Sequence, residues 1–206
     1  MRKKIILGIV ILIVLAAAIV GGAVYFDKNY GEVYSIWVSD NYKERADVTK
    51  FDRSIFDYEE DIVKCTPSLK KFTKLESLSV FIDFDGEADL GNLSEMNKLK
   101  ELEIHYLEGY SGQLETLPEL PNLKSLTLYA GCLKTPYSTF KLKDENYNFS
   151  NIETLTLDFA VIDFDSLKYF ENLKNLRIRK DNLTEEQVEE LQSRGINVEL
   201  VQRRSD

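Results

Sequence analysis

The sequence predicts an α/β fold in which a parallel sheet of short strands is joined by short helices or turns and preceded by a single N-terminal transmembrane helix. Three observations predict it. A six-residue pattern recurs as LESLSV from Leu75, LKELEI from Leu99, LKSLTL from Leu123, IETLTL from Ile152 and LKNLRI from Leu173. Helix start and stop signals lie between the copies. Arg2-Lys3-Lys4 stand ahead of an apolar run from Ile5 to Phe26 that carries no charge.

The apolar run comes first in the chain. As a helix it is about 33 Å long at ~1.5 Å per residue, enough to cross roughly 30 Å of hydrocarbon. Lys and Arg are retained on the cytoplasmic side, so the basic triplet predicts residues 27–206 outside and a single-pass, extracytoplasmic protein. A cleaved signal peptide is the rival, because Ala16-Ala17-Ala18 and Gly21-Gly22-Ala23 offer small residues to a peptidase. Either leader sends the body out of the cytoplasm, secreted in the second case.

Composition narrows what that body binds. The 206 residues hold 26 Lys+Arg against 35 Asp+Glu, a net charge of -9, with 44% hydrophobic residues. That is apolar enough for a core and too acidic for nucleic acid, whose recognition rests on clustered bases neutralising phosphates. Cys65 and Cys132 lack metal-ligand spacing and read as separate buried thiols, although a disulfide is open to them outside the cytoplasm. Asn92, Asn148 and Asn182 head Asn-x-Ser/Thr sequons.

Each copy is apolar at positions 1, 4 and 6 and polar at 2, 3 and 5. Positions 4 to 6 alternate, which is the period of a strand. Such strands are too short to stand alone. Stacked in parallel, they pool their inward Leu and Ile side chains into one core. A weaker copy, VYSIWV, begins at Val33, and INV at Ile196 to Val198 aligns with positions 4 to 6. Between copies, Thr66-Pro67 reads as N-cap and first-turn proline, and Asp165 as a cap for SLKYF. Thr184 with Gln187 forms a capping box for EEQVEEL, and Gly195 stops that helix.

The five aligned LxxLxL copies resemble the leucine-rich repeat family, and most closely its bacterial extracytoplasmic members, over roughly residues 66–203. The resemblance implies a curved solenoid with the parallel sheet on its concave face and short helices or turns on the convex side, used mainly to bind proteins. The family's Asn three residues beyond position 6 is missing: Asp83, Leu107, Gly131, Ala160 and Asp181 stand there. Irregular turns are therefore expected. The resulting organisation is an anchor or leader over 1–26, an N-terminal cap over 27–65, and repeats with a C-terminal cap over 66–206. Within the N-terminal cap, Val33 to Ser39 reads as a strand. Ser54 with Asp57 reads as a capping box before a helical stripe, Ile55, Tyr58, Ile62 and Cys65.

The sequence holds few candidates for chemistry. His105 is the sole histidine. It follows Glu101 and Glu103 on one strand face, but catalysis needs a nucleophile or second acid–base group at bonding distance, and no GxSxG, HExxH, GxGxxG or Walker loop occurs. IDFD appears at Ile82 to Asp85 and at Ile162 to Asp165, where turn chemistry and capping explain it better than calcium. No enzyme, cofactor or metal site is expected. Stacked strands would align position 7 as Phe81, His105, Tyr129, Asp158 and Arg179, with Arg177 adding a basic corner and Trp37 an extension. An exposed aromatic row of this kind is what a protein-binding surface requires. The expectation is therefore a binding module whose partner is a protein, or secondarily a cell-wall glycan. Envelope assembly through the anchor helix is the alternative.

Overall fold

The computed structural model describes residues 2–35, 40–51, 63–64, 67–82, 90–106, 117–130, 139–142 and 149–202. Strands begin at position 3 of every copy: β4 (Ser77–Ile82), β5 (Glu101–Tyr106), β6 (Ser125–Ala130), β8 (Thr154–Asp158) and β10 (Asn175–Arg179). They pair in parallel at matching positions, so Ser77, Glu101, Ser125, Thr154 and Asn175 lie side by side.

Two backbone devices set this register. The position-1 amide closes a turn onto the carbonyl three residues earlier, as in Leu99 to Met96 at 3.0 Å and Ile152 to Phe149 at 3.0 Å. The position-2 carbonyl then receives two amides from the next copy: Glu76 accepts from Lys100 at 2.8 Å and Glu101 at 3.0 Å, and Lys100 from Lys124 at 2.8 Å and Ser125 at 3.0 Å. Four apolar columns cross the strands beneath. Positions 1, 4 and 6 are buried in all five copies, and so is the residue three before each copy, namely Phe72, Met96, Leu120, Phe149 and Phe170. Phe149 and Phe170 stack at 4.9 Å. A large apolar residue buried in every layer makes the core one continuous body.

The same sheet continues on both sides. Its order is β11-β10-β8-β6-β5-β4-β3-β1-β2, with β1 (Tyr30–Ser35), β2 (Asp40–Arg45), β3 (Val63–Lys64) and β11 (Asn197–Val201). β1 runs antiparallel to both β2 and β3. The copy expected at Val33 is therefore corrected: this strand reverses direction, and copies stack in parallel. The earlier copy starts instead at Val48. Its amide bonds Arg45 O at 3.4 Å, Thr49 O accepts from Glu76 at 2.8 Å and Ser77 at 3.4 Å, and Phe51 is buried at position 4. Val63 and Lys64 then pair with Val80 and Phe81 at positions 6 and 7. The sequence hides this copy because Phe51 and Val63 are far apart in the chain.

The expected fold class is corrected in two further respects. It anticipates a transmembrane helix ahead of a curved solenoid. α1 (Arg2–Asn29) is a helix that ends on the polar residues Asp27, Lys28 and Asn29. Among the described residues no helix is long and apolar enough to cross a membrane, a span needing about 20 apolar residues. The remainder is a mixed α/β fold built on six parallel strands, β4, β5, β6, β8, β10 and β11. Its described connections are mostly single 3-10 turns, Pro67–Lys71, Leu90–Leu93, Phe164–Tyr169 and Lys180–Asn182. A small parallel pair, β7 (Thr139–Phe140) with β9 (Val161–Ile162), accompanies them. Copies of unequal spacing and without the turn asparagine do not dictate uniform returns.

Local signals fare unevenly. The capping box of α2 (Glu185–Ser193) forms, Thr184 Oγ1 accepting from the Gln187 amide at 3.2 Å and Gln187 Oε1 from the Thr184 amide at 2.9 Å. Gly195 ends the helix at φ 82°. Asp163, not Asp165, precedes the turn that holds SLKY. INV is shifted by two places, since Val198 and Leu200 pair with Leu176 and Ile178. Thr66, Cys65, Cys132, Trp37 and the Ser54–Asp57 box lie outside the described residues.

Candidate protein-binding face

The parallel register assembles the row expected from sequence. Phe81 pairs with His105, His105 with Tyr129, and Tyr129 with Asp158. Arg179 follows Ile178, the partner of Leu157, and its Nε donates to Asp158 Oδ1. These side chains share a face because the core takes positions 4 and 6, leaving 3, 5 and 7 on the other side of the pleat.

Aromatic contact organises the centre. The His105 and Tyr129 rings stack with centroids 4.8 Å apart and planes at 27°. His105 Nε2 lies 2.5 Å from Glu103 Oε1, and both side chains are partly exposed. The imidazole is thus positioned by a carboxylate and a ring from the neighbouring strand. A stacked, hydrogen-bonded ring presents its edge with little rotational freedom left to lose, as suits a contact residue.

Beside the row lies a depression lined by Ser77, Leu78, Glu101, Leu102, Glu103, Ser125 and Thr127. It arises because Ser and Thr flank the two glutamates on neighbouring strands. Glu101 is exposed, while Ser79 is buried in the next position of β4 and its Oγ lacks a hydrogen-bond partner among the described residues. The sequence places Ser77, Ser79, Glu101, Glu103, Ser125 and Thr127 at outward positions 3 and 5, and the depression takes shape only when the strands pair in register. The small residues at positions 3 and 5 were the available signal.

The basic corner does not stand free. Arg179 is engaged with Asp158, and Arg177 Nε lies 3.4 Å from Glu199 Oε1. Strand β11 supplies that glutamate. At the entry to the strands, position 2 forms a charge ladder: Lys100 bonds Glu76 at 2.7 Å, and Glu153 receives Lys174 at 2.6 Å and Lys124 at 3.0 Å. The two ammonium groups hold the Glu153 carboxyl down to about 2. Glu101, in the depression, is an exposed carboxylate with no cationic partner among the described residues.

Other sequence candidates resolve into structure. In the second IDFD, Ile162 is buried and Asp163 Oδ2 accepts from Ser166 Oγ at 3.3 Å, while that hydroxyl accepts from the Leu142 amide at 2.8 Å. Asn92 is buried, and Asn182 donates to the Phe159 carbonyl at 2.9 Å. Asn148 and most of the first IDFD fall outside the described residues.

No family model matches the chain, and no curated protein does. A solved structure of a Bacteroides fragilis protein is 18% identical, with a TM-score of 0.26. The match covers 67% of this chain and 59% of that one. A likeness so distant identifies neither a family nor a function.

Proposed function

We propose that this chain is a binding module for another protein, acting through the polar face of its parallel sheet. The carrying observation is the in-register row Phe81, His105, Tyr129, with the His105–Tyr129 stack beside the Glu101–Glu103 depression. Rigid aromatics flanked by small polar residues give contact area at low entropic cost. The resemblance of the copies to leucine-rich repeats supports the same reading, with a cell-wall glycan as the second ligand class. In this reading residues 27–206 act outside the cytoplasm, since a basic triplet before an apolar run is the charge order of an export leader.

The test is capture from native surface extracts by the full chain, in parallel with a Phe81→Ala, His105→Ala, Tyr129→Ala variant. A partner retained by the first and lost by the second supports the row, provided the variant still melts cooperatively. A partner held equally by both overturns it. A second reading, assembly through α1, is favoured by the exposure of Ile13, Val14, Leu15, Ile19, Val20 and Val24. Loss of self-association on replacing those residues with Ser, with capture unchanged, would separate the two.

A further inference from the structure

The two edges of the large sheet differ. β2 reads DNYKER, with charges that discourage a further strand. β11 reads NVELV, and among the described residues no strand pairs beyond it. The core columns also run out there. Column 6 is fully buried from Val80 to Ile178, yet its next member, Leu200, is 39% exposed, and Val198 in column 4 is only partly covered. Stacked repeats normally end in a polar outer surface.

We infer that β11 is a self-association edge, occupied by β11 of a second copy running antiparallel across a two-fold axis. The strand is self-complementary in three ways. Its Asn197 amide bonds Lys174 O at 2.8 Å. Amide and carbonyl directions alternate along a strand, so those of Val198 and Leu200 point outward. Antiparallel pairing centred on Glu199 then makes Val198 and Leu200 of one copy hydrogen-bonded partners of Leu200 and Val198 of the other. Those same four side chains lie on the core face, so pairing covers Leu200 and joins the two cores. At the centre Glu199 meets its own copy, and Arg177, 3.4 Å away in each chain, offsets the like charge.

The pairing is isologous, which closes the assembly at two copies. Val198 and Leu200 lie on the opposite side of the sheet from His105, while Glu199 and Arg177 share the side of His105 at the outer edge of the sheet.

Cysteine cross-linking in the full chain tests the register, after Cys65→Ala and Cys132→Ala remove the native thiols. Residue 199 faces itself in a non-hydrogen-bonded pair, with Cα atoms roughly 4.5 Å apart, within disulfide reach. Glu199→Cys should oxidise to a covalent dimer. Asn197→Cys and Val201→Cys should each remain monomeric alone and cross-link when mixed. Adding Leu200→Lys should reduce the Glu199→Cys dimer at least tenfold. Monomeric Glu199→Cys that still melts cooperatively would overturn the inference. So would equal cross-linking of all three single variants, which would indicate collision or association through α1.

Discussion

Asn182 donates its side-chain amide to the carbonyl of Phe159 at 2.9 Å, tying the turn after β10 to the layer before it. The bond is partly buried. Asn182→Ala should cost about 1–2 kcal/mol, and Asn182→Asp no less, because it removes the donor. Urea denaturation checks both, and a neutral result for either would show that water replaces the amide.

Gly31 leaves no room for a side chain. A Cβ there would stand 2.3 Å and 2.5 Å from the ring of Phe72. That ring is fully buried and meets Phe51 edge-on at 4.9 Å. Gly31→Ala should destabilise by about 1–3 kcal/mol. Phe72→Leu should recover part of the loss in the double variant, although it is destabilising alone. Thermal melts of the four chains give the coupling directly.

Phe51 connects the N-terminal segment to the repeats. If residues 27–65 share one core with the copies, Phe51→Ala should cost about 3–5 kcal/mol within a single transition. A separate low-temperature transition, with the main melt unmoved, would make the segment an independent unit.

Glu153 carries the acid sensitivity of the charge ladder. Lys174 and Lys124 lower its carboxyl from 4.5 to about 2. A depressed folded value means the stabilisation is complete above the unfolded value and is lost as pH falls from about 4.5 through about 2. The wild type should therefore lose its advantage over Glu153→Gln across that interval. The pair is solvent-facing, so added salt should shrink the difference. Denaturation midpoints of both chains between pH 2 and pH 7 measure it.

Thr184 accepts the Gln187 amide within the capping box. Thr184→Ala should cost about 1 kcal/mol. Faster amide exchange should be confined to the first turn of α2, with β10 unaffected.

Much of the fold was legible because the signals are local. LxxLxL makes strand alternation visible, and parallel pairing at equal positions follows from it. The Thr184–Gln187 box and Gly195 were likewise readable within a few residues. The copy at Val48 was not, because its positions 1 to 4 and 6 to 7 are separated in the chain and join only beside β4. In the candidate site, the row from Phe81 to Arg179 followed from register alone. The neutralisation of Arg177 does not, since it depends on Glu199, and aligning INV with positions 4 to 6 places that strand two residues off.

What the sequence alone determined about this protein is therefore its period: which side chains point inward, which outward, and which residues become lateral neighbours. Hydrophobic alternation decides these within each copy. What the tertiary structure alone decided is how the periods end and which charges meet. The reversal of β1, the distance in sequence between Phe51 and Val63 and the uncovered Leu200 are properties of a stack's ends, where no neighbouring copy imposes the pattern. Ion pairs such as Asp158 with Arg179 join residues from separate copies, and only the register of packed strands brings them within reach.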